Sequence, residues 1–195
     1  NGTAGATISC PVALTAAPTR IFSVADDGTS AVDLTISGII SNTGNLVKEG
    51  DGTLALSGAN TYTGGTTLNT GTLAINNARA LGAAAGVFTI NGGEIDNTSV
   101  GAVTLINNNP LALNADLTFT GTQSLNLGTG IITMNEDRTI TTNANTLTLG
   151  GPLLAGSYNL TKAGAGILSF GSQTVTLNNL NISAGGLTST SGNLN

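Results

Sequence analysis

One feature constrains this chain more than any other: a stretch that begins at Asn45 returns 114 residues later. Asn45-Leu46-Val47-Lys48, followed by Gly50 and Gly52, matches Asn159-Leu160-Thr161-Lys162, followed by Gly164 and Gly166. The offset continues without a gap from Leu68 to Ile182, from Gly71 to Gly185 and from Leu73 to Leu187. Upstream, Leu34-Thr35-Ile36 matches Leu147-Thr148-Leu149 one residue closer, at 113. A one-residue insertion therefore lies between, near Ser157-Tyr158, and an insertion between two apolar runs marks a loop. Self-similarity at a fixed offset is the signature of a repeat architecture. The chain divides into an N-terminal segment (1–32), a first repeat unit (33–146) and a partial second unit (147–195). Lys48 and Lys162 are the only lysines and share one repeat position. A lysine after an apolar pair and before a Gly-x-Gly turn is expected on a solvated turn, keeping a strand edge soluble.

Short apolar runs with period-two alternation fill the repeat. Leu34 and Ile36, Leu54 and Leu56, Leu111 and Leu113, Leu117 and Phe119, Leu125 and Leu127, Leu147 and Leu149, and Val175 and Leu177 alternate with small or polar residues, mostly Thr, Ser or Asn. One apolar and one polar face per strand is a β pattern. The best helical stretch, Ala78 to Ala85, is at most a short turn or cap. Charged residues make up only 8%, against about a quarter in ordinary domains. At 39% hydrophobic with four prolines, the chain is no disordered segment. It also lacks the run of about 18 apolar residues that a transmembrane helix needs. Asn1-Gly2, Asp27-Gly28, Asp51-Gly52 and Asn91-Gly92 are too few hairpin turns for so many strands. Coils of about 20 residues with Asn or Gly at their corners fit better. Asn76-Asn77, Asn107-Asn108-Asn109 and Asn178-Asn179 suit such corners, because Asn tolerates left-handed backbone and stacked amides bond between rungs. The expected fold is all-β, a parallel β-helix (β-solenoid), with five or six coils per repeat. Leu54, Leu56, Leu68, Leu73, Leu168, Phe170, Ile182 and Leu187 are expected to point inward.

Residues 45–73, from Asn45-Leu46-Val47-Lys48 through Asn60-Thr61-Tyr62-Thr63-Gly64-Gly65 to Gly71-Thr72-Leu73, resemble the autotransporter-associated β-strand repeat, also called the passenger-associated transport repeat. The copy at 159–187 keeps Lys162, Gly164, Gly166, Gly185 and Leu187 but has lost the Asn-Thr-Tyr-Thr-Gly-Gly stretch. Residues 1–32 and 91–140 are similar in general style only. The resemblance implies a right-handed parallel β-helix in a large secreted or surface-anchored bacterial protein. It implies no single activity: some relatives are adhesins, and many such arrays have none known.

The absence of His removes Ser-His-Asp and Cys-His catalysis and the commonest metal ligand. A single cysteine, Cys10, forms no intrachain disulfide and is expected to be a small buried hydrophobe, with an intermolecular bridge as the alternative. Net charge is −5, and the five bases are spread singly, which argues against nucleic acid. The acid pairs Asp26/Asp27, Glu49/Asp51, Glu94/Asp96 and Glu136/Asp137 are the remaining chemistry. A glycosidase needs two carboxyls facing one groove. Asp26-Asp27-Gly28 reads as a turn, whereas Glu94 and Asp96, two apart after Gly92-Gly93, could share a face. Aromatic platforms for sugars are scarce. Asp51 is read as a turn former and not a calcium ligand, since Ala165 replaces it in the second copy. No catalytic residue, metal or cofactor is assigned.

The expected function is structural: an extracellular rod, stalk, sheath or filament at the bacterial surface. An adhesin binding glycan or protein along one face is the alternative, and a polysaccharide-active β-helix the third. The expected partner is the chain itself, stacked end to end, or the continuation of a longer chain. Thr7 to Leu14 is a candidate docking segment, and Ser191 to Asn195 shows no cap.

Overall fold

A computed structural model describes residues 5–15 and 19–190. It is all β, with every strand pairing among these residues parallel. The strands stack as a β-solenoid of about eight turns. Each coil runs first along a nine-stranded side, then across a third side, then along an eight-stranded side. The third side is a pair of two-residue strands, Val12–Ala13 and Ile40–Ser41, near the start and a five-stranded sheet later. Between them, residues 57–65 and 76–87 cross that side without forming a strand. Ala78 to Ala85 lies in the second crossing, as turns. Coil length varies from 19 residues (Leu54 to Leu73) to 28 (Ala6 to Leu34).

The alternation seen in the sequence decides what is inside. Side chains of a strand alternate between faces, and stacked coils place Leu34, Leu54, Leu73, Ile95 and Phe119 in one interior column. Leu54, Leu56, Leu68, Leu73, Leu168 and Phe170 are buried as expected. Ile182 and Leu187 are not. Ile182 is 49% exposed, and Leu187 is partly buried. Both sit at interior positions, Ile182 stacked on buried Lys162 and Leu187 on buried Leu168. They belong to the last described coil, and no described coil covers them. Cys10 is a further correction: it is exposed, beside the short strand Val12–Ala13. Ser157 and Tyr158, where the sequence placed an insertion, lie in and just after an outward turn whose Gly156 has φ 60°. The candidate docking segment from Thr7 to Leu14 is itself part of the first coil, through Ala6–Ile8 and Val12–Ala13. Ser191 to Asn195 lies outside the described residues.

The corners are held by polar groups. Asn42, Asn108 and Asn145 adopt left-handed backbone. At one corner an amide ladder climbs four coils. Asn69 donates to Glu49 Oε1 at 3.1 Å, Asn91 to Asn69 Oδ1 at 3.0 Å, and Asn114 to Asn91 Oδ1 at 3.0 Å.

The two lysines correct the sequence reading most sharply. Neither is on a solvated turn: both are fully buried. Lys48 Nζ donates to the carbonyls of Glu49 (2.9 Å), Gly50 (2.7 Å) and, one coil on, Thr70 (3.1 Å). Lys162 makes the same three bonds, to Ala163 (2.5 Å), Gly164 (2.8 Å) and Ala184 (3.2 Å). Three donors meeting three carbonyls is what makes burial of an ammonium tolerable. Burial still pushes both pKa values below the usual lysine value. For Lys48 the nearby Asp51 and Asp33 charges oppose that shift. Gly71 and Gly185 close the cups at φ 68° and 73°. A Cβ at Gly71 would fall 2.2 Å from Gly50 O and 2.6 Å from Lys48 Nζ, so only glycine fits.

The repeat does not equal a whole number of coils. Following the stack from Val47 through Thr67, Thr89, Ala112 and Thr133 reaches Leu154 after five coils and 107 residues. Thr161, the repeat partner of Val47, lies seven residues further, in the strand Leu160–Ala163 of the nine-stranded side. The first copy begins on the eight-stranded side with Asn45–Glu49, and the second begins one side later.

Candidate functional site

On the nine-stranded side, Thr53, Thr72 and Glu94 stack in three adjacent coils and face outward. They form the floor of a cleft of about 270 Å³, lined also by Ala31, Asp96, Thr98, Thr120 and Thr122. Two excursions of the chain build its rims. Ala31 belongs to the connection 24–33, and Thr98 to the connection 97–102. Ala55 and Ala74, on the outer face next to this stack, are buried, so the chain folds back over the sheet here.

Both rims are pinned by local bonds. In the first, Asp27 accepts from the backbone N–H of Thr29 and of Ser30, each at 2.8 Å, and from the Thr29 hydroxyl at 2.9 Å. Those bonds hold its pKa down to about 2. Asp33 ties the connection to the sheet, accepting from Asp27 N at 3.1 Å and from Thr53 N at 2.7 Å. Asp26, Asp27 and Asp33 bring carboxylate oxygens within 4.8 Å of one another. The sequence reading placed Asp26 and Asp27 in a turn, which is where they lie, and it missed Asp33. In the second rim, Asn76 and Thr98 exchange two hydrogen bonds, at 2.8 and 2.9 Å.

Glu94 and Asp96 do share the cleft, but they differ in kind. Asp96 is buried and accepts three bonds: from Gly121 N (3.1 Å), Thr122 N (2.9 Å) and the Thr122 hydroxyl (2.6 Å). Its oxygens are committed to the fold. Glu94 is exposed and accepts only from the Thr120 hydroxyl, at 3.2 Å. The cleft therefore offers one available carboxylate, where acid–base cleavage of a glycosidic bond uses two. The other acid pairs serve the corners. Glu49 starts the amide ladder, and Asp51 sits exposed beside the Lys48 cup. Glu136 pairs with Arg138 at 3.3 Å, and Asp137 accepts from Asn159 N and Nδ2 at 2.8 and 2.7 Å. Thr53 and Thr72 are the residues that sequence reasoning missed. Their hydroxyls make no hydrogen bond among the described residues, and only the coil register reveals that they adjoin Glu94.

Comparison with known proteins finds one repeat family and one relative of note. Residues 46–75 match the family model of the passenger-associated-transport-repeat. Over 136 residues, 66% of this chain, the sequence is 33% identical to the adhesin BmaC autotransporter of Brucella suis biovar 1 (strain 1330). The aligned stretch spans 4% of that protein's length. No solved structure matches.

Proposed function

From a chain whose residues 46–75 match the passenger-associated-transport-repeat, we propose a surface-displayed segment of a bacterial autotransporter passenger that acts as a stiff spacer. The observation that carries this reading is the parallel stack itself. Backbone hydrogen bonds join successive coils, so bonding runs along the axis and a longer array extends as a rod. Its outer face is Thr- and Asn-rich, and its few charges mostly serve corners. The test is antibody labelling of intact bacteria that produce the parent protein. Labelling without permeabilisation is expected, and labelling only after it overturns the reading.

An adhesive role is the second reading, favoured by the cleft on the nine-stranded side and by the adhesin named above. Self-association end to end belongs to the spacer reading. Heterologous contacts of this kind build open filaments. Sedimentation of the full chain beside a version lacking residues 1–18 checks it, with larger species expected only for the full chain.

A further inference from the structure

We propose that the cleft over Thr53, Thr72 and Glu94 binds one uncharged pyranose residue of a glycan, an assignment that rests on the adhesive reading above. The hydroxyls of Thr53 and Thr72 have no partner among the described residues and stand on adjacent coils. Adjacent strands lie about 4.8 Å apart. That spacing matches alternate equatorial hydroxyls on a pyranose ring. A threonine hydroxyl both donates and accepts, as a sugar hydroxyl does, so the match holds in either sense of the bond. Glu94 adds an acceptor whose charge strengthens a bond from a sugar O–H.

That carboxylate, with the buried Asp96 behind it, sets the specificity. No Lys or Arg lines the cleft, and among the described residues the one ion pair is Arg138 with Glu136, elsewhere. A uronate, sialate or sulfate would meet Glu94 with nothing to offset the repulsion, and such juxtaposition rejects a ligand. The volume, about 270 Å³, sits at the small end for ligand clefts and suits a single ring. No aromatic side chain lines it, so one cleft binds weakly and useful attachment needs several together.

Saturation-transfer NMR on the full chain tests this, with methyl glycosides of glucose, galactose, mannose and N-acetylglucosamine against methyl glucuronide and sialyllactose. Transfer is expected to at least one neutral glycoside and to neither acid. The double variant Thr53→Val/Thr72→Val, with unchanged thermal unfolding, is expected to lose at least tenfold in affinity. Glu94→Gln is expected to keep the neutral sugar and to weaken the rejection of the glucuronide, Asp96 remaining in place. Absence of transfer to every neutral glycoside, preference for an acidic one, or an undiminished double variant would overturn the site. Chain-coated beads adhering to epithelial cells separate the two readings: adhesion that survives the double substitution keeps the adhesive role and sinks the cleft.

Discussion

The two copies of the repeat share a lysine cup down to its three carbonyls, yet their interiors differ. In the first copy, Leu68 and Leu73 have coils on both sides and are fully buried. Their partners Ile182 and Leu187 occupy equivalent inward positions and remain partly open. Tyr62, in the first copy alone, fills the interior where the third side has no strand, its hydroxyl 2.5 Å from that of Thr66. Burial in a solenoid is thus a property of the coil pair and not of the residue. The same local sequence is worth more in the middle of the stack than at its last described coil, as nearest-neighbour stability requires.

The largest test of that contrast is a buried charge. Leu56→Asp leaves an unpaired carboxylate in the core and should cost several kcal/mol, about 4 or more. Ile182→Asp, half exposed, should cost under about 1 kcal/mol. Urea titration of both variants measures the gap, and equal costs would break the comparison. Next come the cups. Lys48→Met removes three charge-assisted bonds to carbonyls and should cost about 2–3 kcal/mol. Lys162→Met, with a single described coil beyond it, should cost less, read by the same titration. Tyr62→Phe is smaller, about 1 kcal/mol. It leaves the Thr66 hydroxyl without a partner, at a position the second copy fills with half-buried Leu180. The smallest effect is electrostatic. Asp27 has a lowered folded-state pKa, so its contribution is present above the ordinary value of 3.8 and is lost as pH falls toward about 2. Thermal unfolding followed from pH 5 to 2 should show a shallower acid decline for Asp27→Asn than for the unaltered chain.

Much of the fold was legible because period-two alternation survives in nearly every strand. Leu54 and Leu56 could hardly point elsewhere once Thr53 faces water. For the lysines, residue type points outward and strand parity points inward, and parity wins. Leu46 and Lys48 are two apart, as are Leu160 and Lys162, so each lysine shares its strand's inward face. The signal was present, and the glycines behind it marked the carbonyl cup. Cys10 is the opposite case: its small apolar side chain suits a core, but it lies outside any strand, where no parity turns it inward. The cleft was half visible. Glu94 and Asp96 stood out as a pair, but Thr53 and Thr72 join them only through coils of 19 and 22 residues, and no local pattern states those lengths. Ala31 and Thr98 arrive from excursions whose course depends on bonds such as Asp33 to Thr53.

The one-side advance between copies has a consequence for how a longer array would meet its surroundings. If further copies kept the 114-residue spacing, each would present its surface turned by a third of the circumference. The original direction would return after three copies, about sixteen coils or about 77 Å of axis at the usual strand spacing. A feature carried once per copy would then wind around the rod as a single helix with three features per turn. Such a rod would show that feature in three directions, a third of the circumference apart. Contact with a surface would then depend less on which way the rod happened to be facing.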